Sequence, residues 1–82
     1  MKAIVYSKVG CPYCDKVERI LEALKIEHTI LYLGRDYDRE FFIEKFSNAT
    51  TFPQVYIDNK YVGGAKETVN FLREKKIGRA HV

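Results

Sequence analysis

Two cysteines stand three residues apart near the start of the chain, as Cys11-Pro12-Tyr13-Cys14. One thiolate can attack a disulfide, and a second thiol one helical turn away can then displace the product, so the pair can carry two electrons. The chemistry needs a junction where the first sulfur meets unpaired amides. Cys11 at the cap and Pro12 at the first helical position supply one, because proline's missing N–H has no partner there in any case. A thiolate at the cap accepts the first-turn N–H groups and faces the positive end of the helix dipole. Lys8, three residues upstream, adds a cation. Residues i and i+3 of a first turn bring their α-carbons to about 5–6 Å, within the range a disulfide spans. Cys14 is therefore expected to face inward, protected, as the resolving thiol.

Three plainer readings compete. A zinc site asks for four ligands, and only His28 and His81 remain, neither paired nor at ligand spacing. A purely structural disulfide across so short a loop would add little stability. Two unrelated buried cysteines would need neither Pro12 nor a strand-to-helix junction. Redox chemistry is favoured, because C-x-x-C beside a βαβ pattern is its signature. No metal site is expected.

The elements that must position the pair follow from periodicity. Residues Ala3 to Ser7 form a short, β-branched, almost unbroken apolar run, as in a strand covered on both faces, and Gly10 ends it. Val17, Ile20, Leu21 and Leu24 then fall at i, i+3, i+4 and i+7, a helical stripe that fades near Lys25. His28 to Leu33 reads as a second buried strand, closed by Gly34. Asp36 or Asp38 caps a second helix, which carries Tyr37, Phe41, Phe42 and Phe46 as core and ends near Ser47-Asn48. Residues Asn48 to Thr51 form a loop, and Phe52-Pro53 is extended or turned. Gln54 to Ile57 is a third strand, Asp58-Asn59-Lys60 a tight turn and Tyr61-Val62 a fourth strand. After Gly63-Gly64 a last helix puts Thr68, Val69 and Leu72 inward, and the tail Gly78 to Val82 is expected to fray. The order β-α-β-α-β-β-α is an α/β fold: a right-handed parallel βαβ unit, then an antiparallel hairpin and a covering helix. It builds a four-stranded mixed sheet with the first strand central and helices on both faces.

Composition bounds the rest. The 82 residues make one domain, residues 1–82, with a thin core. With 46% hydrophobic and 30% charged residues the balance is globular. Fourteen Lys and Arg against eleven Asp and Glu leave +3, too small and scattered for nucleic acid. No run approaches the roughly 20 apolar residues of a membrane span. Met1-Lys2 leads directly into the first strand, so no secretory leader is expected. Two cysteines are too few for a disulfide-rich secreted scaffold. A cytoplasmic monomer is the expectation. His28 is read as structural, since no acid–base partner is visible, and Lys75-Lys76 with Arg79 as a solvated helix end.

With these residues in view, the chain resembles the glutaredoxins, small members of the thioredoxin fold. Cys11-Pro12-Tyr13-Cys14 is that family's dithiol motif, and Tyr6-Ser7-Lys8 precedes it as in the family. Thr51-Phe52-Pro53 is similar to its Thr-Val-Pro segment, and Gly63-Gly64 matches its double glycine. Thioredoxins differ in their Cys-Gly-Pro-Cys pair with a preceding Trp, and this chain has no Trp.

The resemblance implies reduction of glutathione mixed disulfides and protein disulfides, with glutathione as co-substrate and no bound cofactor. It implies Cys11 and Cys14 as catalytic residues. The substrate would be held by Lys8, Pro12, Tyr13, Thr51, Phe52, Pro53, Gly64, Ala65, Lys66 and Glu67. The family's proline at Pro53 is cis, which would turn the N–H and C=O of Phe52 towards the sulfur site to pair with glutathione's cysteine. Amides at the start of the last helix would hold the γ-glutamyl carboxylate. After the double glycine the family has a small residue or Cys, then Ser, Thr or Asp, then Asp. This chain has Ala65, Lys66 and Glu67, so an acceptor for the ligand's amino group is missing or comes from Glu67. Relatives carry Arg or Gln before the Thr-Val-Pro segment, where Asn48-Ala49-Thr50 holds no charge, leaving Lys8 and Arg39 to grip the glycine carboxylate. Two rivals stay open: an electron donor for ribonucleotide reductase recharged by a thioredoxin-type reductase, and a scaffold in which two chains share an iron–sulfur cluster through Cys11 and glutathione. Pro12 disfavours the second in this family. A thiol-bearing adaptor without turnover is a further alternative.

Overall fold

The computed structural model describes residues 1–47 and 51–80, with side chains described through Lys75. Its elements are β1 (Lys2–Ser7), α1 (Pro12–Ala23), β2 (Glu27–Tyr32), α2 (Arg39–Lys45), β3 (Gln54–Ile57), β4 (Lys60–Gly63) and α3 (Ala65–Ala80). One four-stranded sheet runs in the order β2-β1-β3-β4, so β1 is central as its apolar run implies. β1 pairs parallel with β2 and antiparallel with β3, in a register that sets Val5 beside both Ile30 and Val55. β3 and β4 form the antiparallel hairpin, with Ile57 opposite Lys60. Asp58 and Asn59 between them have φ of 52° and 68°, the double positive φ of a turn whose twist matches the strands.

The sheet's two faces are different in kind. Ala3 and Val5 of β1 and Val55 and Ile57 of β3 point to one side, where Val17 and Leu21 of α1 and Leu72 of α3 close an aliphatic core. Alternation turns Tyr6 and Tyr56 to the other side. There they meet Phe46 at the end of α2, with ring centroids 5.2 and 6.1 Å away. Helices thus cover both faces, α1 and α3 on one and α2 on the other. Phe42 and Phe46 are buried, but Phe41 is 44% exposed, so it is not core as expected.

Several expectations need correction. β2 is an edge strand with no buried residue: Glu27 and Thr29 are exposed and the other four are half-buried, so it is not covered on both faces. Its apolar content reflects one covered face. Asp38, not Asp36, caps α2: its Oδ1 accepts from the Phe41 N–H at 2.8 Å. Asp36 instead accepts from the Tyr32 N–H and from Arg35. Tyr37 precedes the helix and bridges to Leu33. α2 ends at Lys45, before the expected Ser47-Asn48. β4 is longer than Tyr61-Val62, taking in Lys60 and Gly63. α3 continues through Gly78 to Ala80, where fraying is expected from sequence. The loop residues Asn48 to Thr50, the side chains of Lys76 and Arg79, and His81 and Val82 lie outside the described residues. α1 closes without glycine. Lys25 takes φ 57°, while the N–H of Ile26 reaches the Leu21 carbonyl and that of Lys25 the Glu22 carbonyl, the two bonds of a Schellman cap.

Candidate active site

Both cysteines are free thiols at the α1 N-terminus, where the loop leaving the central strand turns into helix. Cys11 is the cap residue, with extended backbone and Pro12 behind it. Its Sγ accepts the Cys14 N–H at 3.3 Å, as the cap position requires. It also lies 3.7 Å from the Phe52 carbonyl oxygen, to which the thiol donates when protonated. One sulfur therefore touches two backbone groups of opposite polarity, one from its own helix and one from the loop before β3.

The thiols are almost equally buried, Cys11 at 5% and Cys14 at 4% exposure. Exposure does not tell them apart, but hydrogen bonding and burial chemistry do. Desolvation pushes the Cys14 thiol up from 9.0 to about 11, and its hydrogen bond to Cys11 adds to the rise. The Ser7 hydroxyl and the Lys8 backbone act in the opposite direction with smaller effect. Cys14 thus keeps its proton and presents it to the Cys11 sulfur. This matches the protected, inward second thiol expected from its spacing.

Phe52-Pro53 is cis, and the Phe52 carbonyl faces the sulfur as the resemblance implies. The Phe52 ring stacks on Phe42 with centroids 4.4 Å apart. On the same ring sits the Lys8 ammonium, 5.2 Å from the centroid, which gives that cation a cation–π seat beside the thiols. The Thr51 carbonyl accepts from the side chain of buried Gln54, whose Oε1 in turn accepts from the Tyr61 hydroxyl. Pro12 is exposed, and Tyr13 is 64% exposed between the two cysteines.

The double glycine makes room for a side chain of the chain itself. Gly63 has φ of 127°, and a Cβ there would stand 2.9 Å from Cβ and Cγ of Glu67. Gly64 approaches the Pro53 carbonyl, 3.5 Å from where its Cβ would lie. The space is taken by the chain's own Glu67, whose Oε1 accepts the Gly64 N–H at 2.9 Å. That bond is one half of a capping box, with Gly64 at the cap and Glu67 three residues on. Ala65 and Lys66 keep first-turn amides that have no partner inside the helix. Arg39 opens α2, and among the described residues no hydrogen bond or ion pair joins it to the thiol loop.

Two neighbours of the thiols are invisible to motif reading. Ser7 ends β1 fully buried beside Cys14, and the Tyr37 hydroxyl donates to the Ser7 carbonyl. Burial, with Cys14 nearby, holds the Tyr37 phenol above its ordinary range. The strand period places Ser7 on the aliphatic face, a signal available in sequence, but Tyr37 comes from the connection between β2 and α2, thirty residues along the chain. Away from the site, Glu18, Glu22 and His28 bring one ligand atom each within 4.8 Å of one another. The His28 Nδ1 is 2.7 Å from the Ile26 carbonyl, a bond that seats the ring at the start of β2.

Residues 3–62 match the family model described as Glutaredoxin. The chain belongs to the glutaredoxin family. "Glutaredoxin 1" of Rickettsia prowazekii is 30% identical over 78 residues, covering 93% of this chain and 82% of that protein. The solution structure of a glutaredoxin from Brucella melitensis superposes with a TM-score of 0.76 at 27% identity, over 96% of this chain and 86% of that one. A buckwheat glutaredoxin–glutathione complex shares the fold, with a TM-score of 0.77 at 24% identity over 94% and 73% of the two chains. This glutaredoxin has the thioredoxin-like fold and is a thiol–disulfide oxidoreductase, with Cys11 and Cys14 at the helix start where that chemistry needs them.

Proposed function

We propose that this glutaredoxin reduces glutathione mixed disulfides and protein disulfides through Cys11 and Cys14 and is recharged by glutathione, as a cytoplasmic monomer. The observation that carries the reading is the Cys11 sulfur held between the Cys14 N–H and the Phe52 carbonyl at the head of α1. Cys11 attacks as thiolate. The substrate S–S bond breaks, its leaving sulfur takes a proton, and Cys11 holds the other half as a mixed disulfide. Cys14 then gives up its proton and attacks the Cys11 sulfur, releasing the second substrate thiol and leaving a Cys11–Cys14 disulfide. Two glutathione molecules return the dithiol and leave as glutathione disulfide, so electrons balance. On a glutathionylated substrate, a second glutathione can regenerate Cys11 directly while Cys14 stands aside.

A second reading has its own support. With Glu67 folded onto the Gly64 N–H, one amide expected to meet the γ-glutamyl carboxylate is already engaged. That favours a carrier of electrons to a protein disulfide, such as that of ribonucleotide reductase, recharged by a thioredoxin-type reductase. The test is turnover of a small glutathionylated substrate with glutathione and glutathione reductase, set beside turnover with thioredoxin reductase. Cys14→Ser should retain deglutathionylation and lose protein-disulfide reduction, and Cys11→Ser should lose both. Turnover surviving in Cys11→Ser would refute the assignment of roles, and recharge by thioredoxin reductase alone would decide for the carrier.

A further inference from the structure

The fold brings two carboxylates and an imidazole together along the outer flank of α1, in the half of the helix that does not carry the thiols. Val17 and Leu21 of α1 are fully buried against the sheet. Glu18 and Glu22 follow them by one residue each, about 100° round the helix, and their i,i+4 spacing sets the carboxylates on one flank. His28 pairs with Ala3 in the parallel register of β1 and β2, and Ala3 faces the aliphatic core under α1. Residues paired across strands share a face, so the His28 ring lies on the α1 side of the sheet, at its β2 edge. Glu18 and His28 are half-buried, Glu22 is exposed, and one ligand atom from each lies within 4.8 Å of the other two. From sequence His28 has no visible partner; the turn from α1 into β2 supplies two.

Two features set this trio apart from an ordinary acidic patch. The first is the orientation of the ring. The His28 Nδ1 lies 2.7 Å from the Ile26 carbonyl oxygen. A carbonyl only accepts, so Nδ1 carries the proton and the neutral ring keeps its lone pair on Nε2. A backbone carbonyl on one nitrogen, with the other left to ligate, is how metal-binding histidines are fixed in place. The second is charge. Like charges at i,i+4 repel. The ion pairs among the described residues are Lys2–Glu27 and Arg35–Asp36, so neither Glu18 nor Glu22 is neutralised in this way, and neither is paired with His28. A cation between the three groups relieves that repulsion. Bonds of about 2.0–2.1 Å in a tetrahedral centre put ligand atoms roughly 3.3 Å apart, a contraction that exposed Glu22 can make by rotating its side chain.

We propose that Glu18, Glu22 and His28 form a site for a divalent ion of zinc's class, separate from the thiols, which clamps α1 to β2 and leaves a coordination position for water. Imidazole with carboxylates suits zinc, whereas magnesium prefers oxygen ligands and keeps its own waters. The titration uses the full chain carrying Cys11→Ser and Cys14→Ser, so that no thiolate competes for the metal. The unsubstituted chain in its Cys11–Cys14 disulfide form is the second sample, and it answers the question if the serine variant folds poorly. Zinc at about a hundredfold excess over its Kd should raise Tm by about 10 °C, and magnesium should not. In imidazole NMR spectra the His28 Nε2 signal should move with zinc while its Nδ1 proton stays. Glu18→Gln, Glu22→Gln and His28→Gln should each weaken binding at least about tenfold. No rise in Tm in either sample, an equal rise with magnesium, or binding left intact in His28→Gln would overturn the site. So would zinc that moves the His81 signal and leaves His28 unchanged. None of these results bears on the thiol chemistry, because both samples keep the sulfurs out of the measurement.

Discussion

Because the two thiols are equally buried, their reactivities must separate for chemical reasons, and alkylation can measure the separation. With Cys14 pushed up from 9.0 to about 11, its thiolate fraction near neutral pH falls about a hundredfold. A more basic thiolate is also a better nucleophile: with a Brønsted coefficient of about 0.4–0.5 it recovers about tenfold of that loss. Ionisation alone therefore slows Cys14 about tenfold at pH 7–8, and its 4% exposure slows it further. The assay is sub-stoichiometric iodoacetamide labelling of the reduced protein, quenched early across pH. Both cysteines lie between Lys8 and Lys16, so one tryptic segment carries both and its fragmentation assigns the label. Label should accumulate on Cys11 throughout the neutral range. The Cys14 rate should climb with pH until about 11 and then level. Burial without a shifted thiol would instead level near 9. A Cys14 rate that levels there, or that equals the Cys11 rate at neutral pH, refutes the account of how the site tells its two sulfurs apart.

Other outcomes follow from individual contacts. Asp38→Ala removes the α2 cap and should cost about 1 kcal/mol, read as a fall in Tm of about 5 °C, whereas Asp36→Ala should cost less. Alkaline conditions should destabilise the fold: Cys14, Tyr37 and Tyr61 are all held above their ordinary values, chiefly by burial. The folded state therefore keeps protons that the unfolded chain releases. The stability is fully present below about pH 9 and is lost as pH rises through the raised Cys14 value of about 11. A Tm unchanged from pH 8 to 11 would contradict this. Glu67→Gln keeps an acceptor for the Gly64 N–H but removes a charge from the head of α3, so the KM for glutathione should fall a few-fold. A raised KM would show that the carboxylate itself serves the ligand.

What the sequence discloses depends on how local the cause is. Cys11, Pro12 and Cys14 are legible because cap, proline and the i+3 spacing are contained in four residues. The central place of β1 is legible because strands covered on both faces have little room for polar residues. β2 misleads for the same reason: a short apolar run looks alike whether one or both of its faces are covered, and only its single strand neighbour reveals the edge. The end of α1 is legible in place, near Lys25, but not in kind, because Lys25 takes a conformation usually given to glycine. The choice between Asp36 and Asp38 turns on one extended residue that no spacing rule fixes. Glu67 is legible as a departure from the family's pattern but not as a cap, since its return to Gly64 depends on the empty space over Gly63.

The asymmetry of the thiols traces back to one strand end. The Ser7 carbonyl accepts both the Leu33 N–H and the Tyr37 hydroxyl, so the β2–α2 connection is tied to the last residue of β1. That tie covers the strand end from which the thiol loop departs and sets Tyr37 near Cys14. Desolvation of Cys14, the largest cause of its raised value, is thus helped by a segment more than twenty residues away in sequence. Cys11 is served differently, by an amide of its own helix and a carbonyl of the loop before β3. Long-range packing keeps the proton on Cys14, while the groups that touch the Cys11 sulfur are local backbone ones. The two sulfurs can therefore differ in chemistry while sitting one turn apart at equal depth.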